Sequence, residues 1–229
     1  MSMTFLTRLG LFGCVATLAA CSSVENRQNV FTVGKAVIGQ LSANKPAEPD
    51  PDEVARVAQH ALTHSTGPLA IYRLEERKAV AIIRPIARNG AYRTWASYGS
   101  SERRSVSSRN GVLTATRGLG NDLMSSDIDS LLALVSHRQA GAASIEQRYL
   151  DGENQTVTIR SDCTVSRGES EAFADGTGRT VRVTRMMAQC DQDERRVTNS
   201  YLVTDAGEIV QSRHWAGPTM GHSVVQRLR

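Results

Sequence analysis

Few residues in this sequence have the type and spacing to do chemistry. Four cysteines stand at positions 14, 21, 163 and 190. His60 and His64 are spaced i, i+4, which on a helix could offer two metal ligands on one face. Asp122, Asp127 and Asp129 form the only dense acidic group, and a glycan hydrolase would need two such carboxylates roughly 5 to 10 Å apart. Arg213, His214 and Trp215 stand together near the C-terminus, where an aromatic with polar neighbours could stack on a sugar face or contact a partner. A nucleophile elbow, a Ser-His-Asp order and a phosphate-cradling loop with its Lys are all missing. Gly118-Leu119-Gly120-Asn121-Asp122 is better read as a turn. The expectation is that there are no catalytic and no metal-binding residues.

Cys21 is set apart by what precedes it. The first ten residues carry one charge, Arg8, and Leu11 to Ala20 carry none. That is the n-region and short apolar h-region of a secretory signal. The uncharged run from Leu9 to Ser23 is too short for the roughly 20 apolar residues that span a bilayer. Its end, Leu18-Ala19-Ala20-Cys21-Ser22, resembles the lipobox of bacterial lipoproteins. The resemblance implies that residues 1–20 are removed and that the Cys21 thiol takes a diacylglycerol, with the new amine usually acylated. Thiolate chemistry requires Cys at that position, and two or three acyl chains suffice for stable anchoring. Ser22 and Ser23 stand where inner-membrane lipoproteins often carry Asp, so the expected address is the outer membrane, facing the periplasm. No cofactor is expected beyond the covalent lipid.

Cys14 leaves with the signal and Cys21 is committed to lipid, so the mature fold keeps Cys163 and Cys190. An exported chain meets an oxidising compartment, and both lie in strand-like stretches flanking the glycine-rich turn 174–178. A hairpin there would let them form a disulfide closing a loop of about 28 residues, worth roughly 3 kcal/mol in the chain-entropy model. A metal-binding use lacks the ligand spacing. The net charge of +4 is spread along the chain. A nucleic-acid footprint would be concentrated on one face, so no nucleic-acid partner is expected.

The elements that must hold these residues follow from periodicity. Residues 21–28 form a polar tether. Val30, Val33, Val37, Ile38 and Leu41 recur at helical spacing, and the prolines between Pro46 and Pro51 end that helix. A second helix runs from Asp52 to about His64, capped by Asp50 or Asp52, which places His60 and His64 on an exposed face. From Pro68 the period becomes two. Strands are expected at 69–74, at 79–83 with a break at Pro85, at 91–98, and at 104–108 and 111–117 around an Asn110-Gly111 hairpin turn. Five more follow at 144–150, 155–167, 179–190, 195–203 and 208–215. One short helix interrupts at 126–135, capped by Ser126 or Asp127 and carrying Ile128, Leu131, Leu132 and Val135. The fold class is mainly β: an antiparallel meander of nine or ten strands curled into a barrel or half-barrel, with N-terminal helices and one inserted helix. Residues 29–229 are read as one domain, helical over 29–64 and mainly strands over 68–229. Trp215 is expected to close the sheet core if it does not meet a glycan, and Trp95 and Tyr98 are read the same way.

Three segments carry a family resemblance. They are the run from Arg109-Asn110-Gly111 to Arg117-Gly118-Leu119-Gly120, then Asn121-Asp122-Leu123, and finally Gly207 to Pro218 with its Ser212-x-x-Trp215-x-x-Pro218. With the lipobox, they resemble the YjbF/GfcB family of group 4 capsule or exopolysaccharide lipoproteins. The resemblance implies a β-rich, periplasm-facing domain that assists polysaccharide export without established catalysis, with polysaccharide and other secretion proteins as partners. A different class of function, a carrier holding a lipid or apolar ligand in a half-barrel cavity, is distinguished by the size and lining of that cavity.

Overall fold

A computed structural model describes residues 49–99, 104–151, 153, 155–192 and 195–229. The signal peptide, Cys21, the tether and the expected helix near residues 29–41 lie outside the described residues.

Helix α1 spans Pro51–His64. Asp50 caps it by accepting from the Asp52 amide at 3.0 Å, and Pro51 starts the first turn, where its missing N–H costs nothing. Ala58, Ala61 and Leu62 bury against Leu69, Ile82 and Leu228. At the other end Arg229 donates to the carbonyls of Ser65 and, at 2.8 Å, Leu62, satisfying acceptors that the helix leaves open.

Twelve strands make one antiparallel sheet: β1 Ala70–Leu74, β2 Ala79–Asn89, β3 Tyr92–Ser97, β4 Ser105–Arg109, β5 Val112–Arg117, β6 Leu123–Asp127, β7 Gly141–Leu150, β8 Thr156–Ala174, β9 Thr180–Gln192, β10 Arg195–Thr204, β11 Ile209–Trp215 and β12 His222–Arg227. The spatial order is β5-β4-β3-β2-β1-β12-β11-β10-β9-β8-β7-β6. Every neighbour is consecutive in sequence except β1 and β12, so the sheet is a nearly closed barrel whose two edges, β5 and β6, are joined by one short turn. Side chains bridge that seam. Thr116 Oγ1 donates to Asp122 Oδ1 at 2.8 Å and accepts from the Leu123 amide at 3.0 Å, while Arg117 Nη1 donates to the Leu123 carbonyl at 3.1 Å. The open edges that would invite another chain are thereby occupied.

Helix α2, Asp129–Ser136, lies on the inner face of the β7–β10 half. Leu131, Leu132 and Val135 pack there with Ile145, Val165, Met186 and Tyr201. Cys163 and Cys190 are opposite one another in the β8–β9 register and are joined as a buried disulfide in the same core. A second core lies between β1, β2 and β4 to β7, around Tyr72, Leu74, Ile83, Leu113, Leu123 and Tyr149. The long β8–β9 hairpin also covers the outer face, where Phe173 and Val183 pack on Leu202 and Val210.

The strand expectations need four corrections. Strand β2 does not stop at Pro85. It continues to Asn89 because a bulge between Pro85 and Ala87 removes the need for a proline N–H in the ladder. Residues 123–127, read as a turn and helix cap, form β6, and the helix begins only at Asp129. Asp127 does accept from the Asp129 amide, at 3.2 Å, but Ile128 holds the N-cap position and makes no side-chain cap bond. Strand β8 runs on to Ala174 through a bulge between Arg167 and Ser170. Strand β12 was missed, because its inward residues Ser223, Val225 and Arg227 do not make an apolar stripe.

Candidate binding cleft at one end of the barrel

The Asn110-Gly111 turn organises one end of the barrel. Gly111 has φ +82°, and a Cβ there would sit 3.0 Å from the Ile209 carbonyl oxygen, so only glycine lets the β4–β5 hairpin approach β11 so closely. Asn110 Nδ2 donates to Gly207 O at 2.9 Å and to Ser136 Oγ at 3.0 Å, and Ser212 Oγ donates to Gly111 O at 2.7 Å. These bonds hold the β4–β5 hairpin across the barrel against the start of β11.

Beside this crossing lies a cleft of about 320 Å³. Asn110, Gly111, Glu208 and Ile209 form one wall, and Arg88, Tyr92, Arg93, Trp95, Arg227 and Arg229 line the rest. Each side chain is placed by its strand. Arg88 and Arg93 are directly opposite in the β2–β3 register. The Arg93 guanidinium lies 5.4 Å from the centroid of the Trp95 ring, two residues along the same face. Trp95 is fixed by its Nε1–H, which donates to Ser108 Oγ at 3.0 Å. Tyr92 is 42% exposed, with Arg109 lying 5.9 Å from its centroid and ion-paired to Asp129. Arg227 meets Glu208 at 3.3 Å, and its Nε is buried without a partner among the described residues. Arg88 Nε donates only locally, to Gly90 O at 3.1 Å. The lining is therefore cationic and aromatic, suited to an anion carried on a flat, partly apolar body.

The residues singled out in the sequence fall elsewhere. Trp215 is 4% exposed: its amide donates to Asn199 Oδ1 at 2.8 Å, its carbonyl accepts from Gln147 Nε2 at 3.3 Å, and its ring lies in the core beside α2. It has no face to offer a sugar. His214 is also buried, with Nδ1 3.1 Å from the Tyr201 hydroxyl, and burial beside His222 pushes its pKa down to about 4. Arg213 points outward and is held by both carboxylate oxygens of Glu75. The three consecutive residues thus form no common contact surface, and Trp215 takes the core position that the sequence offered beside a glycan contact. The pairing of an aromatic with arginine that motivated it occurs instead at Tyr92, Arg93 and Trp95. Arg88, Arg93 and Arg227 were missed by sequence reasoning, although the alternation Arg93-x-Trp95 already placed those two side chains on one face.

The other candidates have structural roles. Asp122 accepts from Thr116 Oγ1, the Gly118 amide at 2.7 Å and the Leu119 amide at 3.0 Å. His60 and His64 are exposed and stack on each other with centroids 4.1 Å apart. Among the described residues, no three His, Cys, Asp or Glu side chains are grouped to hold a metal, and no helix is long and apolar enough to cross a membrane. Tyr98 packs beside α1. An apolar void between Leu74, Ile83, Trp95 and Val106 measures about 30 Å³.

A family model described as "Group 4 capsule polysaccharide lipoprotein gfcB, YjbF" matches residues 30–228. No curated protein matches. Among solved structures, the crystal structure of the hypothetical lipoprotein YmcC from Escherichia coli (K12) superposes with a TM-score of 0.65 at 16% identity, covering 80% of this chain and 97% of the other. At that identity the likeness shows the fold. The segments that carry the family resemblance now have physical roles: Asn110, Gly111 and Ser212 clamp the wall of the cleft, and Asp122 builds the turn at the barrel seam. Trp215 packs in the core beside α2, and the residues that follow it join the second core through Ala216 and Met220, where Gly217, at φ +126°, lies against the Tyr149 ring.

Proposed function

The chain belongs to the family of group 4 capsule polysaccharide lipoproteins, and from that premise we propose that it is a non-enzymatic accessory factor in exopolysaccharide or capsule production or secretion. Cys21 carries its lipid anchor after removal of residues 1–20, residues 21–28 are the tether, and the barrel faces the periplasm from the outer membrane. The barrel presents its cleft to nascent polysaccharide or to other secretion proteins.

The observation that carries this reading is the cleft itself. Asn110 and Gly111, in a segment that carries the family resemblance, build its wall, while Arg88 and Arg93 stand in it without acidic partners among the described residues. A non-enzymatic role is supported by the use of the acidic residues. Asp122, Asp127 and Asp129 are engaged in turn, cap and ion-pair contacts, and Glu75 holds Arg213. The alternative, a lipid or apolar-ligand carrier, has less support. The apolar void of about 30 Å³ has room for only a few waters, and the larger cleft is lined by arginines.

The test is genetic and biochemical. Deletion of the gene should lower surface polysaccharide, wild-type complementation should restore it, and a Cys21→Ser copy should be unprocessed and fail to restore it. Unchanged polysaccharide in the deletion strain would exclude the accessory role, and a processed, membrane-bound Cys21→Ser protein would exclude the anchor.

A further inference from the structure

We infer that the cleft binds an acidic saccharide, with the carboxylate of a uronic-acid unit held between Arg88 and Arg93 and the sugar ring against Trp95. The inference rests on the polysaccharide role proposed above and specifies the chemical class of the ligand.

The register supplies the main argument. Arg88 and Arg93 are a directly opposed cross-strand pair on an antiparallel ladder. Like charges in that relationship destabilise a sheet. No acidic side chain among the described residues neutralises either of them: Arg88 donates to Gly90 O, and Arg93 lies over the Trp95 ring. A fold that keeps two unneutralised arginines directly opposed across a strand pair holds a site from which an anion would remove the repulsion. Guanidinium forks suit a planar carboxylate, which accepts paired hydrogen bonds.

The surroundings select the body that carries the anion. Trp95 lines the cleft on the same face as Arg93, whose guanidinium lies over its ring. Such a ring favours the apolar C–H face of a pyranose over a bare inorganic ion. The volume of about 320 Å³ lies near the lower end of the roughly 300 to 1,000 Å³ range of small-ligand sites, which fits a short saccharide segment. Arg227 also lines the cleft, with its guanidinium paired to Glu208 at 3.3 Å.

The chain has two tryptophans, and Trp95 alone lines the cleft while Trp215 is buried in the core. Full-length lipidated protein in detergent micelles is titrated with oligogalacturonate, with a neutral maltooligosaccharide of equal length and with inorganic phosphate, and tryptophan fluorescence is followed. Oligogalacturonate should change the signal saturably, more weakly as salt is raised, and the change should vanish in Trp95→Phe. Arg88→Gln and Arg93→Gln should each weaken binding by about ten-fold or more. Their thermal midpoints should be unchanged or higher, since each removes the like-charge pair, and that combination separates a binding role from a structural one. Arg93→Lys should retain part of the affinity. Equal binding of the neutral oligomer, phosphate binding as tight as the uronate, or full affinity in both Gln variants would each overturn the inference. If uronate fails to bind while gene deletion still lowers surface polysaccharide, the ligand assignment falls and the accessory role stands.

Discussion

Asn110, at the tip of the β4–β5 hairpin, donates its side-chain amide to the carbonyl of Gly207, 97 residues away in the sequence, at 2.9 Å. Together with its bond to Ser136, this contact joins two hairpins and α2 at one end of the barrel. Asn110→Ala removes both bonds and leaves Gly207 O to water. The expected loss is about 1 to 2 kcal/mol, measured as a lower urea midpoint at unchanged m-value. A midpoint within error of wild type would show that the crossing is held without it.

His214 makes stability depend on pH in a defined direction. Its pKa falls from 6.5 to about 4 because burial disfavours the charged ring and His222 lies nearby. The unfolded chain therefore binds a proton more readily than the folded one. Stability from this group is fully present above pH 6.5 and declines as the pH falls toward about 4, by about 3 kcal/mol in total. His214→Phe should flatten that part of the profile in urea titrations at a series of pH values. An unchanged slope would assign the pH dependence to other groups.

The disulfide crosses neighbouring strands inside the core, with Cα atoms 4.0 Å apart and a sequence separation of 27. Replacing both cysteines with alanine should cost roughly 3 kcal/mol. Both side chains are buried beside α2, so the pair should also resist reduction until the barrel opens. Thiol trapping at increasing urea checks this, and rapid labelling of the native protein under mild reductant would contradict it.

Trp215 and Trp95 should separate stability from binding. Trp215→Ala empties a buried site and should cost about 3 to 5 kcal/mol, read by thermal or urea unfolding. Trp95→Ala, at a half-exposed position with one side-chain bond to Ser108, should cost less while removing any fluorescence response at the cleft. Equal losses in the two variants would contradict the difference in their burial.

Local signals in the sequence determined much of this protein. Period-two alternation identified ten of the twelve strands, Asn110-Gly111 identified a hairpin, Asp50 and Pro51 marked the start of α1, and the spacing of Leu131, Leu132 and Val135 identified α2. Each of these is a property of a few adjacent residues. The lipobox-like end at Cys21 is local in the same sense.

What only the tertiary structure decided was exposure and register. The sequence around Trp215 resembles an aromatic site as much as a core strand. Trp215 is buried in the core beside α2, and Val210 at the start of its strand is covered by Phe173 and Val183 of the β8–β9 hairpin; both covers come from distant parts of the chain. The cleft depends on something smaller still. The extra residue at the Pro85–Ala87 bulge shifts the β2–β3 pairing by one, so that Arg88 rather than Ala87 faces Arg93. Side chains alternate along a strand, so a one-residue shift reverses which of them point inward, and no pattern within β2 alone specifies its partner on β3.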